Sequence, residues 1–173
     1  GKHPMNFKEE ILKMSGTSAD SCFHCSSCTG GCQFSELMDY NPNQVNRLVQ
    51  LGMKQEALTC SAIWTCVGCN TCSVQCPQAV DIPAIMDALR EMAIRENVKI
   101  GDRDTLRFHE ELVGSIGRYG RSHKLEIMMR YKLSRMDLFS DMNVGLKMLM
   151  KRKLDLTPSK IRTRSDLKKL FAD

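Results

Sequence analysis

Eight of the nine cysteines fall into two runs with one shared spacing. The first is Cys22-x-x-Cys25-x-x-Cys28-x-x-x-Cys32 and the second Cys66-x-x-Cys69-x-x-Cys72-x-x-x-Cys76, with Pro77 directly behind it. Soft thiolate donors gathered this densely point to metal, and the runs constrain the fold because chain must close around each of them. Disulfides fit poorly, because the count of nine is odd and nothing near the start reads as a secretory signal. The expectation is a reducing compartment, the cytoplasm, with the thiols held by iron.

The spacing is the ligand run known from bacterial two-cluster ferredoxins, where the fourth cysteine of each run serves the other cluster. It predicts one [4Fe–4S] cluster on Cys22, Cys25, Cys28 and Cys76, and another on Cys66, Cys69, Cys72 and Cys32. Exchange of Cys32 and Cys76 would tie the two halves together and couple cluster insertion to folding. Gln33 stands where the second run has its proline. Zinc is the alternative, since four-thiolate zinc sites also use C-x-x-C pairs. A zinc ribbon needs only two pairs, whereas each run here adds a third cysteine at the same interval.

Around the ligands, Gly30, Gly31 and Gly68 suit close backbone approach or left-handed turns. Trp64 is expected to pack over the second cluster and exclude water. Cys60, the ninth cysteine, reads as a small buried side chain. His24 and His3 read as exposed, with a hydrogen bond from His24 to a cluster sulfur as the alternative, and His109 as a core residue on an apolar helix face.

The surrounding pattern is helical. A short helix is expected from Asn6 to Met14, and then a Ser/Gly/Thr loop to Cys22. Asn41 can cap a helix with Pro42 at its first position, with Val45, Leu48 and Val49 on one face and Gly52 as its stop. A second short helix is expected over Met53–Cys60. Asp81 is the N-cap of a helix beginning near Pro83, whose stripe is Ile82, Ile85, Met86, Leu89, Met92 and Ala93. Further helices are predicted over 102–121, 123–136, 141–153 and, capped by Ser165, 166–171, with Pro158 breaking the chain. The reading is an all-α protein: an N-terminal segment (1–20), an α-helical ferredoxin-like domain with two [4Fe–4S] clusters (21–100) and a helical, basic, partner-docking extension (101–173).

Charge separates along the same boundary. Residues 1–100 carry 8 Lys and Arg against 10 Asp and Glu, and the remainder 17 against 10. The excess suits docking to acidic partners or membrane phosphates, or a solvated helical surface. It is not interleaved with aromatics, which argues against nucleic acid. No apolar run reaches the ~18 residues of a membrane span. The chain begins at Gly1, and Met5 is a candidate natural start for a trimmed N-terminus.

With these residues in view, the chain resembles the C subunit of heterodisulfide reductase. The resemblance rests on C-F-H-C-S-S-C-T-G-G-C at 22–32, W-T-C-V-G-C-N-T-C-S-V-Q-C-P at 64–77, V-D-I-P at 80–83 and K-R-K-L-D-L-T-P-S-K-I at 151–161. It implies a hetero-oligomeric electron-transfer subunit between an A-type flavin and iron–sulfur subunit and a B-type, cysteine-rich, disulfide-reducing subunit. The chain has neither those cysteine-rich repeats nor a GxGxxG fingerprint, so it is expected to have no substrate site of its own. Two other functions compete: the iron–sulfur subunit of a quinone-linked glycerol-3-phosphate or succinate dehydrogenase, and a zinc-binding regulatory module.

Overall fold

The computed structural model describes residues 6–135, 147–148 and 150–151. The chain divides into two compact units, residues 1–103 and 104–173. Among the described residues the regular structure is all helical. The helices predicted over 141–153 and 166–171, the break at Pro158, and the 151–161 segment lie almost wholly outside the described residues.

The first unit opens with α1 (Phe7–Ser15), where the Glu9 side chain reaches back to the Asn6 N–H at 3.1 Å. Phe7 and Ile11 are its buried residues. They set α1 against α7 and α3, described below, so the N-terminal segment is part of this unit's core. A single 3₁₀ turn (Ala19–Ser21) delivers the chain to Cys22, and α2 (Ser27–Gly30) lies inside the first cysteine run.

Next come α3 (Pro42–Gln50) and α4 (Lys54–Thr59). As the sequence predicts, Asn41 is the N-cap of α3 and Pro42 its first residue; Gln44 completes the cap by accepting from the Asn41 N–H at 2.8 Å. Gly52, at φ 70°, supplies the left-handed residue that turns the chain toward α4. α5 (Ala62–Thr65) precedes Cys66, and α6 (Thr71–Val74) lies inside the second run.

The long helix α7 (Ile82–Arg95) closes the unit. The Asp81 carboxylate accepts from the Ala84 N–H at 3.2 Å, which satisfies one of the helix's free N-terminal donors. All six residues of its predicted stripe are buried. They meet Val45, Val49, Leu58 and Ile63, also buried, in one core beside the cysteine runs. Burying a side chain of Val, Leu or Met size contributes ~1.5–3 kcal/mol each, so this core holds the helices whose ends carry the cysteine loops.

The second unit holds α8 (Arg103–Tyr119) and α9 (Lys124–Arg135). Gly120, at φ 76°, ends α8, and the His123 N–H donates to buried Ser115 Oγ at 3.0 Å in the turn that follows. Phe108 and Tyr131 stack edge to face, with ring centroids 5.8 Å apart. Val113 is exposed, and His109, expected in the core, is half-buried against the Phe108 ring.

Candidate metal centre

The two cysteine runs fold alike, residue for residue. Within each, the first and fourth cysteines are half-buried, the second is exposed and the third is buried. Each run turns left-handed on either side of its second cysteine: His24 (φ 60°) and Ser26 (φ 63°) in the first, Gly68 (φ 64°) and Asn70 (φ 62°) in the second. Left-handed backbone is costly for His and Ser, and its repetition at matched positions marks a loop shape that both sites require. Gly68 supplies it without strain; the first run accepts it at His24 instead.

Hydrogen bonds to sulfur repeat as well. Cys25 Sγ lies 3.3 Å from Ser27 Oγ, and Cys69 Sγ lies 3.4 Å from Thr71 Oγ1, two residues on in each run. The hydroxyls at Ser27 and Thr71 favour the thiolate and hold both exposed thiols below the ordinary cysteine value of 9.0. Burial acts the other way on the third cysteines: it raises the thiol of Cys28 and pushes that of Cys72 up to about 11, the latter with added repulsion from Cys66 and Cys28. Backbone N–H groups also point at sulfur, from His24 to Cys22 at 3.4 Å and from Val80 to Cys76 at 3.3 Å.

The runs meet at α2 and α6. Gly31 leaves the room that the Gln75 side chain occupies, since a Cβ there would lie 1.9 Å from Gln75 Oε1. Beside this crossing, Cys32 of the first run joins Cys66, Cys69 and Cys72 of the second around a single cavity. Apart from Thr71, its other walls are apolar, among them Phe34, Met38, Val67, Ile82 and Met86. Four thiols in an apolar cradle are the donor set that a soft iron–sulfur cluster takes.

Some neighbours differ from expectation. Trp64 is buried, yet it does not line the cavity, whose apolar walls are Phe34, Met38, Val67, Ile82 and Met86. Its place on α5, two residues before Cys66, directs it into the helical core instead. His24 is half-buried, and its Nε2 pairs with Gln50 Oε1 at 2.7 Å rather than with a sulfur. Cys60 is buried as expected, with Sγ donating to the Ala57 carbonyl at 3.3 Å and burial pushing its thiol up to about 11.

Three supports escape the sequence reading. Gln50 Nε2 donates to the carbonyls of Ala19 (2.8 Å) and Cys22 (3.0 Å), clamping the entry to the first run. Arg90 does the same for the second, its guanidinium donating to the carbonyls of Ile63 and Cys66. Asp39 accepts from the N–H groups of Ser61 (2.7 Å) and Ala62 (2.9 Å), which fixes the start of α5 and so the approach to Cys66. The first two have a sequence trace: each clamp lies nine residues past the N-cap of the helix that follows its run, Asn41 to Gln50 and Asp81 to Arg90.

Residues 18–80 match a family described as a 4Fe-4S dicluster domain. The C subunit of the H(2):CoB-CoM heterodisulfide,ferredoxin reductase of Methanothermobacter thermautotrophicus is 32% identical over 95 residues, 55% of this chain and 51% of that one. The C 2 iron-sulfur subunit of the CoB–CoM heterodisulfide reductase of Methanocaldococcus jannaschii is 35% identical over 98 residues, 56% and 50% of the two chains. The C subunit of the ferredoxin/F(420)H(2)-dependent CoB-CoM heterodisulfide reductase of Methanosarcina acetivorans is 31% identical over 110 residues, 62% and 65%. The matched stretch is shorter than the near-whole-chain resemblance read from the sequence, and the chain spans about half the length of the first two relatives.

Proposed function

From a chain similar to heterodisulfide reductase C subunits, we infer membership of that family and an electron relay: a protein holding two [4Fe–4S] clusters and passing electrons between an A-type flavin and iron–sulfur subunit and a B-type disulfide-reducing subunit. The observation that carries this reading is the cavity shared by Cys32, Cys66, Cys69 and Cys72, because it draws a fourth ligand from the opposite run. By the repeat, Cys76 joins Cys22, Cys25 and Cys28. Such clusters supply one-electron uptake and release when bound.

The chain's own part is to hold and shield. Eight thiolates fix the two sites close together, since the exchanged cysteines belong to both. Gln50 and Arg90 orient the first ligand of each run through its carbonyl. Phe34, Met38 and Met86 exclude water from the second site. The second unit, with Phe108, Val113, Met129 and Leu133 exposed on a basic chain, is the docking extension for partner subunits. No described helix is long and apolar enough to cross a membrane, and the relay is proposed to work in the cytoplasm.

The test is anaerobic purification with iron analysis, dye-linked reduction and assay of a disulfide substrate. A brown chain with about eight irons that exchanges electrons with viologen dyes, yet turns over disulfide only with a B-type partner, is expected. Zinc in place of iron, or disulfide turnover by the chain alone, refutes it. Co-purification with a quinone-linked dehydrogenase would transfer the relay to the other class of complex.

A further inference from the structure

The two carbonyl clamps occupy equivalent places but differ in charge. Gln50 is a neutral amide, whereas Arg90 carries a cation held against the Cys66 carbonyl, with its side chain only 18% exposed. Its counter-ion, Asp87 at 2.6 Å, is 68% exposed, so solvent weakens its field without abolishing it and the more buried cation dominates at the loop. On the first side a cation is present too, but one step further out: Arg47 is exposed and donates to Gln50 Oε1 at 3.0 Å, not to the cysteine loop. His24 shares that oxygen, and the Lys8–Asp20 pair near the loop entry is internally balanced. Among the described residues of the first unit, the fixed, poorly hydrated positive charge therefore belongs to the second site alone.

We propose that Arg90 gives the second site the higher reduction potential, so that a single electron shared between the two clusters rests on the one held by Cys66, Cys69, Cys72 and Cys32. This rests on the two-cluster relay proposed above and adds its internal direction. In the exchange, one electron leaves the site of Cys22, Cys25, Cys28 and Cys76 and arrives at the other; one site becomes less negative by one charge and the other more negative, and no bond or proton moves. A buried cation one peptide away from a ligand favours the more negative partner, as nearby charge and hydrogen bonding do for iron–sulfur potentials generally. The guanidinium acts through the Cys66 backbone, so Arg90 is a positioning residue whose charge is also used.

The test poises the full chain anaerobically with dithionite and mediator dyes and follows both clusters by electron paramagnetic resonance, the signals being assigned with Cys25→Ser and Cys69→Ser. Arg90→Gln copies the first clamp into the second and is expected to lower the ratio of reduced second to reduced first cluster at least tenfold, a relative shift of 59 mV for one electron. Arg90→Lys keeps the charge but not the fork and is expected to retain most of the preference. An unchanged ratio in Arg90→Gln, or an equal fall in both variants, overturns the proposal. Should Arg90→Gln lose iron, Asp87→Asn decides: with the counter-ion gone and Arg90 in place, the ratio must rise, and a constant or lower ratio overturns it. A wild-type chain without about eight irons fails the relay reading and takes this proposal with it, whereas eight irons with an unmoved ratio sinks only the role of Arg90.

Discussion

Gly101 stands outside the cysteine runs, yet it should govern their support. A Cβ built there would lie 2.5 Å from the Thr59 carbonyl oxygen and 3.0 Å from both Cys60 C and Ser61 N. All three are backbone atoms, so no side chain can swing aside. Ordinary contact begins near 3.4 Å, and Gly101→Ala therefore requires a displacement of about 0.9 Å, the difference between 3.4 and 2.5 Å. The obstructing turn is held on both sides, by the Cys60 N–H to Glu56 O bond and by the two Asp39 bonds to Ser61 and Ala62. Overpacking of this kind costs about 1–3 kcal/mol. Alanine stiffens the unfolded chain and offsets about 0.4–1 kcal/mol of that. The net loss, about 1.3 kcal/mol from the middle of both ranges, corresponds to a fall in Tm of roughly 5–10 °C for a domain of this size. The displacement also runs into α5 and Cys66, so iron content should fall alongside. Thermal unfolding by circular dichroism at one scan rate, with iron measured in the same samples, is the assay, and Gly114→Ala is the control because its Cβ would meet only the flexible end of the Arg118 side chain, at 3.3 Å. Equal melting of Gly101→Ala and wild type, or an equal loss in the control, would refute the argument from backbone clash.

Cys32→Ala is expected to perturb the same paramagnetic signals as Cys69→Ala; signals matching Cys25→Ala instead would reject the crossed ligands. Burial alone would raise the Asp39 carboxyl, but the Ser61 and Ala62 N–H groups outweigh it and hold it below the ordinary 3.8. Its stabilisation is thus complete above pH ~4 and lost as pH falls through the lowered value, so the stability gap between wild type and Asp39→Asn, measured by urea titration, should be full at neutral pH and close in acid. Leu89→Ala, at a fully buried site on α7, should cost about 2–5 kcal/mol by urea unfolding, and a loss below about 1 kcal/mol would mean that the core rearranges around it.

The sequence alone marked the eight cysteines as candidate ligands and placed the longer helices of the first unit with their caps at Asn41 and Asp81. Cysteine spacing is local, and so are the pairings of Asn41 with Pro42 and of Asp81 with Ala84. The stripe on α7 was legible because helical periodicity puts Ile82, Ile85, Met86, Leu89, Met92 and Ala93 on one side, and all six are buried. The carbonyl clamps at Gln50 and Arg90 left only a trace in their spacing from the N-caps, and their partners were not legible. Their partners are carbonyls 24 to 31 residues away in sequence, and a backbone acceptor leaves no residue-type signal of where it will be needed.

Tertiary structure alone also decided what covers the second site. Trp64 is the large aromatic nearest Cys66 in sequence, but helix α5 turns it into the core, and side chains from three separate segments close the cavity in its place. Donor identity is a property of single residues and survives in any fold that brings the donors together. Shielding and field depend on which surfaces the packed helices set against one another, and only the closure of α3 and α7 over the cysteine loops determines that.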